Sequence, residues 1–219
     1  MKYLRWINDI PRNAIMNMAL DEFLFNEYMN EPILRTYLWD GFYTTIGYFQ
    51  NASICNSNFV RRLTGGLMVQ HHNDMSYSFF VSSDFWNVHN PCQIYNNIHL
   101  LIQKSLKIIG INSVVLNKNS NNTSNICIQN FCENDLIFDK KKIVGSCLRK
   151  RAGKVIIQGS IHIHLNDVYK IIFLKEFAEN MSKFLKIEIK KLNFSDDEIE
   201  SAKEIAIGRY SNSKWNNKF

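Results

Sequence analysis

Residues 61–78 read RRLTGGLMVQHHNDMSYS and bring charge, backbone freedom and polar side chains into one short stretch. The adjacent glycines, Gly65 and Gly66, allow the backbone to approach a ligand closely and to expose its N–H donors. The two arginines before them suit forked binding of a phosphate or a carboxylate. A polar cluster follows within the length of one strand. The pattern fits a binding loop or a surface hairpin with a GG turn and solvated arginines, and spacing alone favours the hairpin.

Upstream of this stretch, periodicity predicts one helix and two strands. The helix is expected to begin near Asn13 and to end before Pro32, because apolar residues form one stripe at helical spacing: Met16, Ala19, Leu20, Phe23 and Leu24. Residues 33–39 and 44–49 are predicted to be strands around an Asp-Gly turn at residues 40–41. Residues 76–81 form a further predicted strand.

Downstream, a second helix is expected after Pro91, with Gly110 as its C-terminal stop and an apolar stripe at Ile94, Ile98, Leu101, Ile102, Leu106 and Ile109. Strands are predicted at 136–138, 143–145 and 155–165. Two helices follow, one over 174–184 and one beginning at a capping box of Ser195 and Glu198. This order favours a mixed α/β or α+β fold, with helices flanking a largely antiparallel sheet. The length and the lack of a linker favour one domain, 1–219.

Two further segments carry residues that chemistry uses. Residues 140–147, KKKIVGSC, place a lysine in a strand that ends in Gly145 and Ser146, where it can reach a ligand carbonyl or phosphate. Cys127 follows a polar loop and is a candidate thiolate nucleophile. Taken alone, a charged hairpin turn and a small core cysteine are the commoner explanations. No metal site is predicted, because the His71-His72 pair has no partner at ligand spacing.

Composition and charge narrow the classes of function. The formal net charge of +6 suits an acidic partner, whereas the basic residues form no long stripe of the kind that binds nucleic acid. Five cysteines without a CxxC pair predict free thiols in a reducing cytosol. The N-terminus lacks the apolar stretch of a secretory signal, and no run of about 18 apolar residues would span a membrane. A cytoplasmic protein is therefore expected.

Taken together, these segments resemble the lipoate-protein ligase and octanoyltransferase group of the biotin/lipoate ligase superfamily. The similarity covers roughly residues 15–165 and rests on elements in the family's order: MALDE at 18–22, RTYLW at 35–39, IGYFQ at 46–50, the stretch 61–78, KIVGS at 142–146 and QGSI at 158–161. Jointly these elements are specific, although no single one would be. The resemblance implies a catalytic domain with a mixed or antiparallel sheet and flanking helices, in agreement with the periodicity.

The resemblance also implies roles for individual residues. Lys142 matches the family lysine that contacts the acyl carbonyl and, in ligases, the acyl-adenylate. Cys127 falls where one transferase subclass carries its nucleophile, although Ile128 stands where that subclass has Phe. A further set of residues matches the acyl and substrate site of the family: Arg62, Thr64, Gly65, Gly66, His71, Gly145, Ser146 and Gly159.

Family members attach octanoyl or lipoyl groups to a lysine of small acidic carriers, namely lipoyl domains and the glycine-cleavage H protein. We therefore interpret the chain as an acyltransferase that forms a thioester on Cys127, with an octanoyl or lipoyl donor such as an acyl carrier protein and no tightly bound cofactor. The first alternative is a ligase that uses ATP and Mg and proceeds through lipoyl-AMP, alone or with a separate accessory protein. The second is a degenerate module that binds carriers without chemistry.

Several residues depart from the family pattern. Leu67 and Met68 replace small or basic residues of the glycine loop, and their bulk is expected to reshape the acyl tunnel. Gln158 stands where the element has His, and Cys147 stands where the family has Ala. The C-terminal accessory domain of many ligases is not expected in this chain, which fits a transferase. The run YSNSKWN at 210–216 is nevertheless ligase-like.

Overall fold

The computed structural model describes residues 3–27, 31–55, 58–83, 91–119 and 124–219. No helix among these residues is both long and apolar enough to cross a bilayer. In chain order the elements are β1 (Tyr3–Asn8), α1 (Ala14–Glu27), β2 (Ile33–Tyr37), β3 (Tyr43–Ile46), β4 (Phe59–Arg61), β5 (Val69–His71), β6 (Met75–Ser82), α2 (Pro91–Ile108), β7 (Val114–Val115), β8 (Leu136–Phe138), β9 (Lys141–Arg151), β10 (Lys154–Ile161), α3 (Asp167–Leu185), β11 (Glu188–Lys191), α4 (Asp196–Ile205) and α5 (Ser213–Asn216).

Eight strands form one sheet in the order β11-β1-β2-β6-β10-β9-β8-β7. Strand β1 runs parallel to β2 and to β11, and the other neighbours are antiparallel. A second sheet has the order β4-β3-β5. The predicted fold class, a mixed and largely antiparallel sheet flanked by helices, is therefore confirmed.

The large sheet is covered on both faces, as its buried central strand requires. Phe79 of β6 belongs to a cluster with α2 and α3, which includes Ile98 and Phe177. Its neighbour Phe80 points the other way and packs with Leu24 of α1. Because successive strand residues point to opposite faces and both faces are covered, β6 is buried along nearly its whole length rather than at alternate residues. The apolar stripe predicted for α2 is the side that faces the core.

The helices α1 and α2 and the capping box of α4 were predicted from sequence, and the capping box is present with both reciprocal hydrogen bonds. The predicted end of α1 before Pro32 lies outside the described residues. Five short strands were not predicted from sequence: β1, β4, β5, β7 and β11. Of these, β1 and β11 pair with each other from opposite ends of the chain.

The stretch 61–78 is not a hairpin with a GG turn. Strands β4 and β5 lie on opposite sides of β3, so the glycine loop must cross from one edge of the small sheet to the other. A two-residue turn joins only adjacent antiparallel strands, which excludes it here. The predicted strands on either side of residues 40–41 also do not pair, because β2 belongs to the large sheet and β3 to the small one.

Candidate active site

The glycine loop, β9 and the segment of Cys127 meet at one cleft, whose empty volume is about 570 Å³ including its open mouth. Eight predicted site residues line it: Arg62, Gly66, His71, Cys127, Lys142, Gly145, Ser146 and Gly159. Thr64 and Gly65 are not among the lining residues, and both contact residues that are.

A β-bulge in β9 directs Lys142 into the cleft. Leu136 of β8 pairs with Val144, but the next residue, Ile137, pairs with Lys142, so Ile143 is one residue extra. Side chains alternate along a regular strand, and an extra residue reverses that alternation. Lys142 consequently points to the same face of the strand as Gly145. Regular alternation would place residues three positions apart on opposite faces.

At this position the side chains of Lys142 and Cys127 converge on Gly145. A Cβ atom at Gly145 would lie 2.6 Å from Lys142 Cε, 2.9 Å from Nζ and 3.4 Å from Cys127 Sγ. Only glycine leaves room for this approach. The buried Lys142 ammonium donates to the Asn130 carbonyl at 2.9 Å and pairs with Asp135 Oδ2 at 2.7 Å.

The charges around these two groups set their protonation. Burial raises the pKa of the Cys127 thiol, and the nearby charges of Lys142 and Arg62 offset this only in part. Burial would lower the pKa of Lys142, but the Cys127 thiolate and Asp135 outweigh it and the pKa is raised. Near neutral pH, Lys142 is therefore an ammonium donor and Cys127 is a thiol that needs a base.

The glycine loop is attached directly to the Cys127 segment. Met68 N donates to the Asn125 carbonyl at 3.1 Å, and Cys127 N donates to the Met68 carbonyl at 2.8 Å. Of the two bulky loop residues, Leu67 lines the cleft, whereas Met68 is buried and does not. Gly66 has a φ of +84°, a backbone conformation that favours glycine. The loop thus fixes the position of the short 3₁₀ helix that begins at Cys127.

The two arginines of the loop have different surroundings. Arg61 is fully buried, and its guanidinium donates only to backbone carbonyls, those of Gly47, Tyr48, Gln50 and Asn216. It therefore joins the loop at residues 47–50 to α5 and does not form a phosphate-binding fork with its neighbour.

Arg62 lines the cleft and retains one unpaired donor. Its Nη1 donates to Thr45 Oγ1 at 2.8 Å, and its Nη2 donates to the carbonyls of Gly65 and Leu67. Its Nε is buried and has no hydrogen-bond partner among the described residues. A buried donor without a partner costs free energy, roughly 1–3 kcal/mol, unless a ligand satisfies it.

His71 is held by hydrogen bonds on both ring nitrogens. The ionised Asp74 carboxylate can only accept, so the proton of His71 lies on Nδ1, which donates to Asp74 Oδ2 at 2.8 Å. In the neutral ring Nε2 then accepts from the Thr45 hydroxyl at 2.8 Å, and Thr45 Oγ1 itself accepts from Arg62. Burial lowers the pKa of His71, and the ring stacks on Trp39 with centroids 3.8 Å apart. The imidazole is neutral and its orientation is fixed.

Asp74 is the acceptor that terminates this chain of hydrogen bonds. Besides His71, it accepts from the hydroxyls of Ser76 and Ser160 and from His72 N. Burial alone would raise its pKa, but the hydrogen bonds from His71 and Ser160 hold the pKa well below its usual range. The carboxylate stays ionised and rigid.

Gln158, which stands where the resemblance led us to expect His, is fixed by two neighbours. Its Nε2 donates to Asp21 Oδ2 at 2.7 Å, and its Oε1 accepts from Thr64 Oγ1 at 2.6 Å. Because the Thr64 proton is used there, the Cys147 thiol is the donor in its 3.0 Å contact with Thr64. An amide suits this position, since one end must donate and the other accept.

The sequence profile of the lipoyl protein ligase A/B catalytic domain matches residues 13–205. The chain belongs to this family. Among curated relatives, the octanoyltransferase LipM of Clostridioides difficile is 28% identical, with 91% of this chain and 80% of the relative covered. The octanoyltransferase LipM of Brevibacillus brevis is 26% identical, with 99% of both chains covered.

Solved structures of lipoate-protein ligases have the same fold. A protein from T. acidophilum described as a putative lipoate protein ligase with bound lipoic acid superimposes with a TM-score of 0.81 at 23% identity, covering 100% of both chains. Lipoate-protein ligase A bound with ATP gives a TM-score of 0.77 at 22% identity, covering 99% of both. The resemblance to the lipoate ligase group and the expected lipoate ligase-like fold are therefore confirmed.

The sequence motifs did not identify His99 of α2 as a residue that contacts the site. Its Nδ1 donates to the Asn134 carbonyl, so its Nε2 accepts from Ser146 Oγ at 2.6 Å. Ser146 Oγ also contacts the Tyr77 hydroxyl, whose ring lies against Gly159. Burial lowers the pKa of His99 to about 4. The one available signal was a polar residue beside the apolar stripe of α2.

His162 was interpreted from sequence as a residue on one face of a strand, yet it lines the cleft. Burial lowers the pKa of its imidazole, which is close enough to Asp74 and Lys142 to interact with their charges. Within the described part of the chain, its ring forms no hydrogen bond.

The described residues also include no group of three or more His, Cys, Asp or Glu side chains placed to hold a metal ion.

Proposed function

We propose that this protein transfers an octanoyl or lipoyl group to a lysine of a lipoyl carrier domain through a thioester on Cys127. The observation that supports this most strongly is the approach of Cys127 Sγ and Lys142 Nζ to the same side of Gly145, in a cleft also lined by Arg62. A nucleophile beside a fixed cationic donor suits acyl transfer. The similarity to octanoyltransferases supports the same reaction class.

Lys142 is the proposed donor to the acyl oxygen. An ammonium has three N–H bonds, and two of them are used by Asn130 and Asp135. The third remains for an oxygen beside Cys127. The unpaired Nε of Arg62 is a second donor for the substrate. Both are fixed before substrate arrives, so they require little reorganisation as negative charge develops on the oxygen.

His162 is the proposed base. The Cys127 thiol needs one because burial raises its pKa, and Lys142 is held protonated. His71 and His99 each have both ring nitrogens engaged. His162 is the remaining neutral imidazole in the lining of the cleft, and its lowered pKa leaves it free to accept a proton near neutral pH.

The proposed reaction has two balanced half-reactions. His162 takes the thiol proton, Cys127 Sγ bonds to the acyl carbon of the donor thioester, and the donor's C–S bond breaks. The departing donor thiolate takes the proton back from His162. The target lysine amine then bonds to the acyl carbon, the bond to Cys127 breaks, and the amine proton passes through His162 to the Cys127 thiolate.

The apolar part of the cleft suits a medium-length acyl chain. Its lining includes Met18, Leu67, Val69 and Ile128. Apolar side chains of this kind bind a hydrocarbon chain because it leaves water on entering, at roughly 0.8 kcal/mol per CH₂ group. The donor would be an octanoyl or lipoyl thioester, such as an acyl carrier protein, and the acceptor a lipoyl domain or the glycine-cleavage H protein.

An ATP-independent transfer assay tests the proposal. The protein is incubated with an octanoyl thioester of acyl carrier protein and a lipoyl domain, and the mass of the lipoyl domain is followed. We expect transfer to occur without ATP. It should fall at least about 1,000-fold in Cys127→Ser and persist in Cys147→Ser. Modification only with free lipoate, ATP and Mg would support the ligase instead. Binding of the lipoyl domain without any modification would support the non-catalytic module.

A further inference from the structure

A second groove opens beside the cleft and is continuous with it. We call it the basic groove and define it by Ile128, Phe138, Lys140, Lys141, Ile163 and His164. It shares Ile128, Lys142 and His162 with the lining of the cleft. Its floor is mainly apolar, and its empty volume is about 1,120 Å³ including open solvent. A partner seated in the groove would therefore lie at the mouth of the acyl site.

The turn between β8 and β9 carries the charges of the groove. Asp139 and Lys140 have φ values of 48° and 60°, so this is a two-residue turn with both central residues in the left-handed region. Such a turn presents Lys140 and Lys141 in a fixed direction beside the groove, and both are exposed. Neither forms an ion pair with any other described residue. Asp139 is the one carboxylate in the groove's lining, so the rim stays net positive.

We infer that the basic groove is the docking surface for the acidic lipoyl carrier domain that presents the target lysine; this rests on the proposed function. Lys141 directly precedes Lys142, whose ammonium lies beside Cys127, so a domain held on the turn can extend a lysine into the cleft. An apolar floor with charged residues around it is the usual composition of a protein interface. The net charge of +6 supports attraction of an acidic partner.

A second basic region, next to the glycine loop, is less suited to this role because its cations already have partners. Arg149 donates to the Leu63 carbonyl and lies over the ring of Tyr48. Lys218 donates to the Tyr48 hydroxyl. A cation that is already bound gains less from a new acidic neighbour than Lys140 or Lys141 would.

Charge reversal tests the docking surface directly. The dissociation constant of an unmodified lipoyl domain is measured by fluorescence anisotropy on the full chain and on Lys140→Glu/Lys141→Glu. We expect it to rise about tenfold at about 0.1 M salt, and the difference to shrink at about 1 M, where the Debye length is about 3 Å. The matched control, Lys104→Glu/Lys150→Glu, reverses two exposed lysines outside the groove and should stay within about twofold.

Two results would overturn the inference: an unchanged dissociation constant in the groove variant, or an equal rise in the control. Loading of Cys127 from octanoyl-N-acetylcysteamine, a small donor that needs no docking, is followed in parallel. Equal loading of the groove variant and the unaltered protein is expected, and loss of loading in the variant would also contradict a docking role. If the unaltered protein fails to load, the proposed function fails, and the binding measurement still decides the role of the groove.

Discussion

Two polar clusters lie at the same cleft and differ in how many of their hydrogen-bonding groups are already used. In the closed cluster, Arg62, Thr45, His71 and Asp74 are joined in sequence, and only Arg62 Nε lacks a partner among the described residues. The open cluster consists of Cys127, Lys142 and His162. The Cys127 thiol and the His162 ring form no hydrogen bonds with the described residues, and one N–H bond of Lys142 forms none either. Both clusters are largely buried, so burial alone does not distinguish them.

The contrast indicates a division of labour. Groups whose hydrogen bonds are saturated hold their positions and gain little from a substrate, whereas unsaturated groups are stabilised when a substrate arrives. The closed cluster should therefore contribute mainly to stability and shape, and the open cluster mainly to the reaction. Substitutions in each cluster can separate these contributions.

The largest expected effect is that of Lys142→Ala. Removing the donor to the acyl oxygen should lower kcat/KM for octanoyl transfer by about 100- to 1,000-fold, the usual loss for one preorganised oxyanion donor. Turnover is measured with saturating lipoyl domain. Stability should also fall, because Asp135 is left buried without its partner, and Lys142→Ala/Asp135→Asn should restore stability but not activity. Unchanged turnover in Lys142→Ala would refute the assigned role.

His162→Gln should lower kcat/KM by about 100-fold, as expected for the loss of a general base. The pH profile is the sharper measurement. His162 acts as a base only when neutral, and burial lowers its pKa from the usual value of a histidine. Activity of the unaltered protein should therefore fall as the pH drops below that pKa, and this acidic limb should be absent in His162→Gln. An identical acidic limb in the variant would assign it to another group.

Asp74→Asn should act chiefly on stability. The amide keeps the shape but loses the charge that accepts from His71, Ser76 and Ser160, so the free energy of unfolding should fall by about 2 kcal/mol. Urea unfolding monitored by tryptophan fluorescence measures this. Octanoyl transfer per folded molecule should change less than in His162→Gln, and a larger loss would place Asp74 in the reaction.

The smallest expected effect is that of Cys147→Ala. This thiol lines the same cleft as Cys127 but donates to Thr64. Transfer should stay within about twofold, and the free energy of unfolding should change by roughly 1 kcal/mol, the value of one modest hydrogen bond. Iodoacetamide should likewise still inactivate Cys147→Ala, and the mass added by iodoacetamide at position 127 should be absent in Cys127→Ser.

Local patterns predicted the parts of the molecule that local physics determines. The apolar stripe of α2 and the capping box of α4 lie within single segments, and both were found from sequence. The fold class followed from the order of elements. Five short strands were not predicted; among them, β1 and β11 pair across most of the chain, which no local pattern reveals.

The site was predicted only through its motifs, and its geometry depends on features that spacing does not encode. Regular alternation would direct Lys142 away from Gly145, and the bulge at Ile143 arises from pairing between β8 and β9. His99 reaches Ser146 because α2 packs against the sheet, which no motif specifies. The two adjacent arginines could not be distinguished from sequence, because Arg61 is engaged by α5 at the other end of the chain.

The most direct test of the open cluster is the mass of the enzyme during turnover. After mixing with octanoyl carrier protein and no acceptor, intact-mass spectrometry and peptide mapping should locate one octanoyl group on Cys127, in the unaltered protein and in Cys147→Ala. Addition of the lipoyl domain should remove it while the domain gains the same mass. An octanoyl group on another residue, or undiminished transfer by Cys127→Ser, would contradict the account.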